Sequence, residues 1–334
     1  MTHKPIEIIA SEGMTDLAKR VYHRLQEDQF GLTEITYTTF ANGEIKPKIN
    51  ETMRHKEIYL FHGMQHPDPN TAAMKLFLTV DALSRASVEN ITAVLPYLTY
   101  SRQDRKDEAR APISARLMAN LLGASGNVNH LLTMDLHAEQ IEGFYNIPVD
   151  NLYGARVFAD YFQKLYCGNF ENVVVYSPDF GGAVRARRFA RMLDPSVRTY
   201  PIEKTRTGPN QAEVLNFLGD PRDKDVIIYD DMIDTGGSII AAAAEAERRG
   251  AKKIYLVATH GLFSTKKDSH HTAEERFSQA GFQVITTESI PRTGEYQQQN
   301  KDWLTILPLD GLLATAVYES SRVGGSINSL FGGK

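Results

Sequence analysis

Short runs of β-branched and other apolar residues recur at residues 6–9, 58–61, 91–95, 173–176, 226–229 and 254–258, and each predicts a buried strand. Between them, apolar residues fall at helical spacing over 74–87, 113–124, 153–166, 183–193 and 238–249. Strands alternating with helices predict an α/β protein whose sheets are mainly parallel and flanked by helices on both faces. Such sheets bind ligands beyond the carboxyl ends of their strands, so the loops that follow the strands are where chemistry is expected. No repeat or low-complexity segment stands out, and the softest stretch is 148–154, just ahead of a helical pattern. A boundary near residue 150 divides the 334 residues into two α/β domains of ordinary size, 1–150 and 151–334.

Composition narrows the function classes. A hydrophobic content of 42% with 23% charged residues matches a globular chain able to bury a core. A formal net charge of −4 gives no general attraction to nucleic acid or to anionic membranes, so neither is expected as a partner. The single cysteine, Cys167, cannot form an internal disulfide and is expected to be an inert thiol. The first residues lack the basic-then-apolar pattern of a leader, and no apolar run approaches the roughly 18–20 residues of a membrane span. The expected location is cytoplasmic.

The most informative segment is Val226-Ile-Ile-Tyr-Asp-Asp-Met-Ile-Asp-Thr-Gly-Gly-Ser238: a strand ending in paired acids, a glycine-containing turn, then an Ala-rich helix. A turn at a helix N-terminus presents backbone N–H groups to an anion, and Gly236 and Gly237 allow a phosphate to approach closely. Thr235 and Ser238 add hydroxyl donors, and Asp234 opens the turn. Asp230 and Asp231 stand at the strand end, where they can accept from ribose hydroxyls directly or through a cation. Together these features read as a pocket for a phosphorylated ribose; the plainer alternative is a strand-to-helix turn capped by Asp.

The segment resembles the phosphoribosyl pyrophosphate binding motif of the type I phosphoribosyltransferase fold. Further segments separate a synthetase from a transferase: Pro96-Tyr-Leu-Thr-Tyr-Ser-Arg-Gln-Asp-Arg-Lys-Asp-Glu-Ala-Arg-Ala-Pro-Ile-Ser114, Thr133-Met-Asp-Leu-His-Ala138, Ile147-Pro-Val-Asp-Asn-Leu152 and Ser177-Pro-Asp-Phe-Gly-Gly182. In this order they resemble the signature segments of ribose-phosphate pyrophosphokinase, also called phosphoribosyl pyrophosphate synthetase. The resemblance runs from about residue 36 to 326–331 and implies two type I phosphoribosyltransferase-like domains, each a mainly parallel sheet flanked by helices. The C-terminal tail is a candidate to return to the N-terminal domain.

Read by themselves, Arg102 and Gln103 follow a strand and can hold a purine edge and its phosphates, or simply belong to a solvated Arg/Lys/Asp loop. The resemblance implies that they bind ATP with Phe40, Asn42, Gly43 and Glu44, the latter group reaching in from a neighbouring subunit of a homohexamer. A lone His at a strand end, such as His137, is more often a structural hydrogen-bonder than a ligand; the resemblance implies that His137 and Asp179 hold Mg2+ in the ATP complex. Lys204 and Arg206 stand in a polar stretch with Gly208-Pro209, which reads as a loop or hairpin whose cations are ordinarily just solvated. The resemblance makes these two the catalytic cations. It also implies a regulatory ADP site, with inorganic phosphate as activator, at Thr52, Arg54, Arg110 and Ser326.

The implied reaction transfers the β,γ-pyrophosphoryl group of Mg-ATP to the anomeric hydroxyl of ribose 5-phosphate, giving phosphoribosyl pyrophosphate and AMP. The chain departs from the commonest family pattern at Asn42, Thr205, Ser238 and Asn328, where Asp, Arg, Thr and Ser are frequent. Two rivals share part of the pattern. A phosphoribosyltransferase needs the 230–238 segment but not Arg102 and Gln103 or 40–44; a catalytically silent relative is disfavoured by the presence of Lys204, Arg206, His137 and Asp179. His270 and His271, among Lys266, Lys267 and Asp268, read as a hydrated loop, and Trp303 as core or interface.

Overall fold

The computed structural model describes residues 5–25, 27–65, 68–206, 213–265 and 269–331. Its contacts divide the chain into two compact units: Met1–Tyr153 with Ser289–Pro291 and Leu309–Lys334, and Gly154–Glu288 with Arg292–Pro308.

In the first unit, β1 (Ile6–Ala10), β2 (Phe30–Thr39), β3 (Ile45–Ile49), β4 (Glu57–Phe61), β5 (Asn90–Leu95), β6 (Val128–Met134) and β7 (Val149–Leu152) form one sheet of order β3-β2-β1-β4-β5-β6-β7. All pairings are parallel except the β2/β3 hairpin at the edge. The apolar runs at 6–9, 58–61 and 91–95 are β1, β4 and β5, in the middle of the sheet, where both faces are covered. β2 and β3 do not declare themselves by apolar runs, because an edge hairpin is half solvated. Pro47, which cannot donate to a ladder, is tolerated there.

Helices α1 (Thr15–Leu25), α2 (Pro69–Arg85) and α3 (Ser114–Ser125) follow β1, β4 and β5. α2 starts five residues before the apolar spacing at 74. Asp68 caps it, accepting from the N–H groups of Asn70 and Thr71 at 3.0 Å each, and Pro69 takes the first helical position. In the chain order used below, the helices of the second unit are α4 to α8 and the last is α9 (Asp310–Ser320). α9 packs on α1, with Arg24 Nε donating to Asp310, and the Tyr59 hydroxyl lies 2.9 Å from Ser320 Oγ. The C-terminal segment therefore belongs to the first unit.

The second unit repeats the architecture. β8 (Val173–Ser177), β9 (Arg198–Arg206), β10 (Glu213–Phe217), β11 (Asp225–Ile233), β12 (Lys253–Gly261), β13 (Gln283–Thr287) and β14 (Leu304–Leu307) form a sheet of order β10-β9-β8-β11-β12-β13-β14. Again an antiparallel hairpin, β9/β10, forms the edge. The polar stretch read as a loop or hairpin is this hairpin; its residues 207–212, with Gly208-Pro209, lie outside the described residues.

One side of the sheet is covered by α4 (Ala155–Tyr166) and α5 (Ala183–Leu193), whose Phe158, Phe162 and Phe189 pack with Tyr229 and Tyr255. On the other lie α6 (Gly237–Arg248) and α7 (Ala273–Ala280), around a core containing Phe263, Phe277 and Trp303. α8 (Gly294–Asn300) leads into β14. Trp303 is core, stacked on Phe277 at 5.3 Å and 10°. Among the described residues, no helix is long and apolar enough to cross a membrane.

Phe162 is fully buried and meets Tyr161, Tyr166, Phe189 and Tyr255 at ring-centroid distances of 5.3, 6.2, 6.1 and 5.4 Å. Phe162→Ala is expected to cost about 3–5 kcal/mol. The check is the urea midpoint for the second unit's unfolding, which should fall while the slope of the transition is retained.

Candidate active site

In each sheet the strand order reverses beside the first strand, between β1 and β4 and between β8 and β11. Such a reversal leaves a crevice at the carboxyl ends, because the following loops run off to opposite sides. In the second unit, the loop after β8 carries Asp179 and the turn after β11 carries Asp234, Thr235, Gly236, Gly237 and Ser238, so the predicted residues flank one switch point.

The turn leaves helix N–H groups without side-chain partners. Gly236, at φ +76°, precedes α6, and no side chain caps that helix. The first N–H groups of a helix have no intrahelical acceptor, so this end offers donors and the positive end of the helix dipole. A Cβ on Gly236 would lie 2.4 Å from the ring of Phe277, so packing as well as backbone angle demands glycine. Asp230 and Asp231 follow the fully buried run 225–229 of β11, Asp230 half-buried and Asp231 at 3% exposure. Asp230 Oδ1 accepts from the N–H of Asp231 at 2.9 Å. Burial and the neighbouring Asp231 carboxylate push the Asp230 carboxyl well above the usual range, while Arg185 pulls it down.

After β8, the hydroxyl of Ser177 donates to the Asp179 carbonyl at 2.7 Å, and the N–H of Gly182 donates to Asp179 Oδ1 at 3.0 Å. A Cβ on Gly182 would lie 2.5 Å from Ser177 Oγ, which explains the glycine. The Asp179 residue is exposed. Among the described residues, no three His, Cys, Asp or Glu side chains converge on a metal-sized cage. An exposed carboxylate beside an anion-binding turn fits magnesium, which keeps several waters and takes one or two carboxylates next to substrate phosphates.

In the first unit, Arg102 and Gln103 follow β5 and are both exposed. Gln103 is tied to the start of α3: its Oε1 accepts from Ser114 Oγ at 2.5 Å and its carbonyl from the N–H of Ala115 at 3.2 Å. His137 follows β6 and is also exposed. The chain turns there at Asp135, with φ +35°, whose N–H donates to the Leu152 carbonyl at 2.9 Å. Gln140 Nε2 donates to Asp104 Oδ2 at 3.1 Å, so the loops bearing Arg102, Gln103 and His137 are held together. Phe40, Asn42, Gly43 and Glu44 form the tip of the β2/β3 hairpin, closed by the N–H of Phe40 donating to the Glu44 carbonyl at 2.8 Å. Phe40 is 46% exposed there.

Lys204 and Arg206 end β9, in register with Leu215 and Glu213; their side chains lie outside the described residues. Thr52, Arg54, Arg110 and Ser326 are all exposed, on three separate loops of the first unit. His270 and His271 are exposed too, and His271 Nδ1 lies 3.5 Å from Glu275.

Residues 6–126 match the model of the N-terminal domain of ribose phosphate pyrophosphokinase, and residues 149–288 match that of the phosphoribosyl transferase domain. The chain is 39% identical over 328 residues to the ribose-phosphate pyrophosphokinase of Pasteurella multocida, covering 98% of this chain and 99% of that protein. It is 39% identical over 301 residues to the one from Campylobacter jejuni, 90% of this chain and 91% of the relative. The crystal structure of phosphoribosylpyrophosphate synthetase from Mycobacterium smegmatis superposes with a TM-score of 0.83 at 34% identity, covering 95% of this chain and 99% of the other. The chain belongs to the ribose-phosphate pyrophosphokinase family. Both units carry the phosphoribosyltransferase-like fold that the motifs implied.

One residue of this pyrophosphokinase-family site was not read from the sequence. Arg185, on the first turn of α5, donates from Nη1 to Asp231 Oδ1 at 3.1 Å and to Asp230 Oδ1 at 3.3 Å. Its position six residues after Asp179 was visible, but α5 also carries Arg187, Arg188 and Arg191, and spacing alone does not say which arginine faces the acids.

With the Asp230 carboxyl raised, the folded chain retains a proton that the unfolded chain has released. The group therefore costs stability progressively as pH rises from the ordinary carboxylate range through its folded value. Asp230→Asn is expected to raise the melting temperature of the ligand-free protein at neutral pH and to flatten that pH dependence. Calorimetric scans from acid to neutral pH check this; an unchanged profile would remove the charge-repulsion argument.

Proposed function

We infer that this chain makes phosphoribosyl pyrophosphate, transferring the β,γ-pyrophosphoryl group of ATP to the anomeric hydroxyl of ribose 5-phosphate and releasing AMP. The observation that carries this reading is the near-full-length likeness to ribose-phosphate pyrophosphokinases, which includes the N-terminal domain as well as the phosphoribosyl-type turn. A phosphoribosyltransferase has use for the second part without the first.

The ribose oxygen attacks the β-phosphorus, AMP departs in line, and the work of the protein is alignment and charge stabilisation. The 234–238 turn holds the 5-phosphate and the Asp230/Asp231 pair holds the ribose hydroxyls, which fixes the nucleophile before the bond forms. Arg102, Gln103 and the 40–44 segment bind ATP, and the 46% exposure of Phe40 at a hairpin tip supports a tip that reaches a neighbouring subunit. Exposed Leu117 and Leu121 on α3, with Ile113 just ahead of it, support self-association, for which a homohexamer is the family's form. Lys204 and Arg206, on the β9/β10 hairpin, bind charge that grows on the transferring group, and closure of that hairpin keeps water from the ATP. Magnesium, when bound with ATP, would supply charge neutralisation on the phosphates, and His137 and Asp179 are the residues that would hold it. Consumption of ATP and a sugar phosphate assigns the enzyme to the cytoplasm.

Purified protein mixed with Mg-ATP and ribose 5-phosphate is expected to form AMP and phosphoribosyl pyrophosphate in equal amounts. Lys204→Ala should lower the rate about 100-fold or more. Folded, ATP-binding protein that forms no AMP would instead support the silent-relative reading. Thr52, Arg54, Arg110 and Ser326 are proposed to form the site of phosphate activation and ADP inhibition. Activity should rise along an inorganic phosphate titration, and a flat response rejects that assignment.

A further inference from the structure

Behind the 233–238 turn lies a set of donors that the reaction scheme leaves unused. The carbonyl of Ile233 accepts from the N–H groups of Leu262 at 2.9 Å and Phe263 at 3.3 Å, and that of Asp234 accepts from the N–H of Ser264 at 3.2 Å. The carbonyl of Thr235 accepts from Arg276 Nη2 on α7. The carbonyl of Gly236 accepts from the N–H of Ile240 at 2.9 Å, opening α6. Four successive carbonyls are thus taken up from behind or by the helix. In a trans peptide the N–H points opposite to its carbonyl, so tying back 233, 234 and 235 turns the N–H groups of 234, 235 and 236 the other way, toward the phosphate side.

The carbonyl of Thr235 is held by a side chain rather than by a backbone N–H. Stability of the fold does not account for an arginine there. Among the described residues its buried Nε finds no acceptor, an arrangement that costs rather than contributes. Phe277, its neighbour, already fills the space beneath Gly236. A released Thr235 carbonyl is free to rotate its oxygen toward the bound anion, with the N–H of Gly236 turned away.

We propose that Arg276 is a positioning residue for ribose 5-phosphate: by holding the Thr235 carbonyl it keeps the N–H of Gly236 aimed at the 5-phosphate, without touching the ligand. This rests on reading the 230–238 segment as the ribose 5-phosphate site.

The test compares full-length wild type, Arg276→Met and Arg276→Lys by steady-state kinetics, melting temperature and calorimetric titration with ribose 5-phosphate. Met should raise both the KM and the Kd for ribose 5-phosphate about tenfold, the worth of one lost hydrogen bond. The KM for ATP and the melting temperature should stay near wild type, and Lys, which keeps a donor, should recover part of the affinity. An unchanged Kd in Arg276→Met overturns the proposal, as does a joint rise in both KM values with a lowered melting temperature. Wild type that binds ribose 5-phosphate but forms no product overturns the assigned reaction, while loss of that binding in Arg276→Met still supports the role of Arg276. Wild type that fails to bind ribose 5-phosphate overturns both.

Discussion

The left-handed turn at Gly236, set against the ring of Phe277, is the constraint on which the second unit's chemistry depends. The ring stands close to where a Cβ would be, and it stacks in turn on Trp303 and meets Phe263 edge-on, so the 234–238 turn rests directly on packed core. Close-packed interiors do not deform continuously. The aromatic stack that stabilises the unit therefore also holds the N–H groups of the turn ready before any ligand arrives, which is the condition for electrostatic preorganisation.

The acid pair shows the opposite relation between stability and function. Asp230 and Asp231 are adjacent, largely buried and served by one guanidinium, Arg185. A fold selected for stability alone has no reason to retain two neighbouring carboxylates there. Their presence at a switch point, just ahead of the glycine turn, is what the proposed ribose 5-phosphate site accounts for.

Both sheets have the same strand order, and each by itself carries an antiparallel hairpin at the same edge and a crevice at the same reversal. The difference lies in the loops. The β2/β3 tip carries Phe40, Asn42, Gly43 and Glu44, whereas Lys204 and Arg206 end the first strand of β9/β10. One scaffold thus carries different loop segments in its two units, consistent with function residing in loops on a shared framework.

The central parallel strands and the helices α2 to α6 were legible in the sequence, because burial on both faces requires continuous apolar runs and a covering helix requires period 3.6, whereas α1, α7, α8 and α9 were not read from it. The 230–238 turn was legible because paired acids, two glycines and an Ala-rich helix each answer a local backbone or hydrogen-bonding need. The β2/β3 hairpin and the short strands β7, β13 and β14 were not, since partly solvated or very short strands carry little hydrophobic signal; the β9/β10 stretch was read only as a loop or hairpin. Nor was the shared order of the two sheets, which is a relation between pairings rather than between residues. Arg185 and Arg276 belong to the same class: one among several arginines faces the acids, and one distant helix supplies the donor behind Thr235. The sequence by itself determined the central strands, the helices α2 to α6 and the glycine turn ahead of α6, because those depend on local periodicity and backbone freedom. Only the tertiary structure decided which cation meets which carboxylate or carbonyl, because those contacts span 41 to 46 residues along the chain and arise only when helices pack on the sheet.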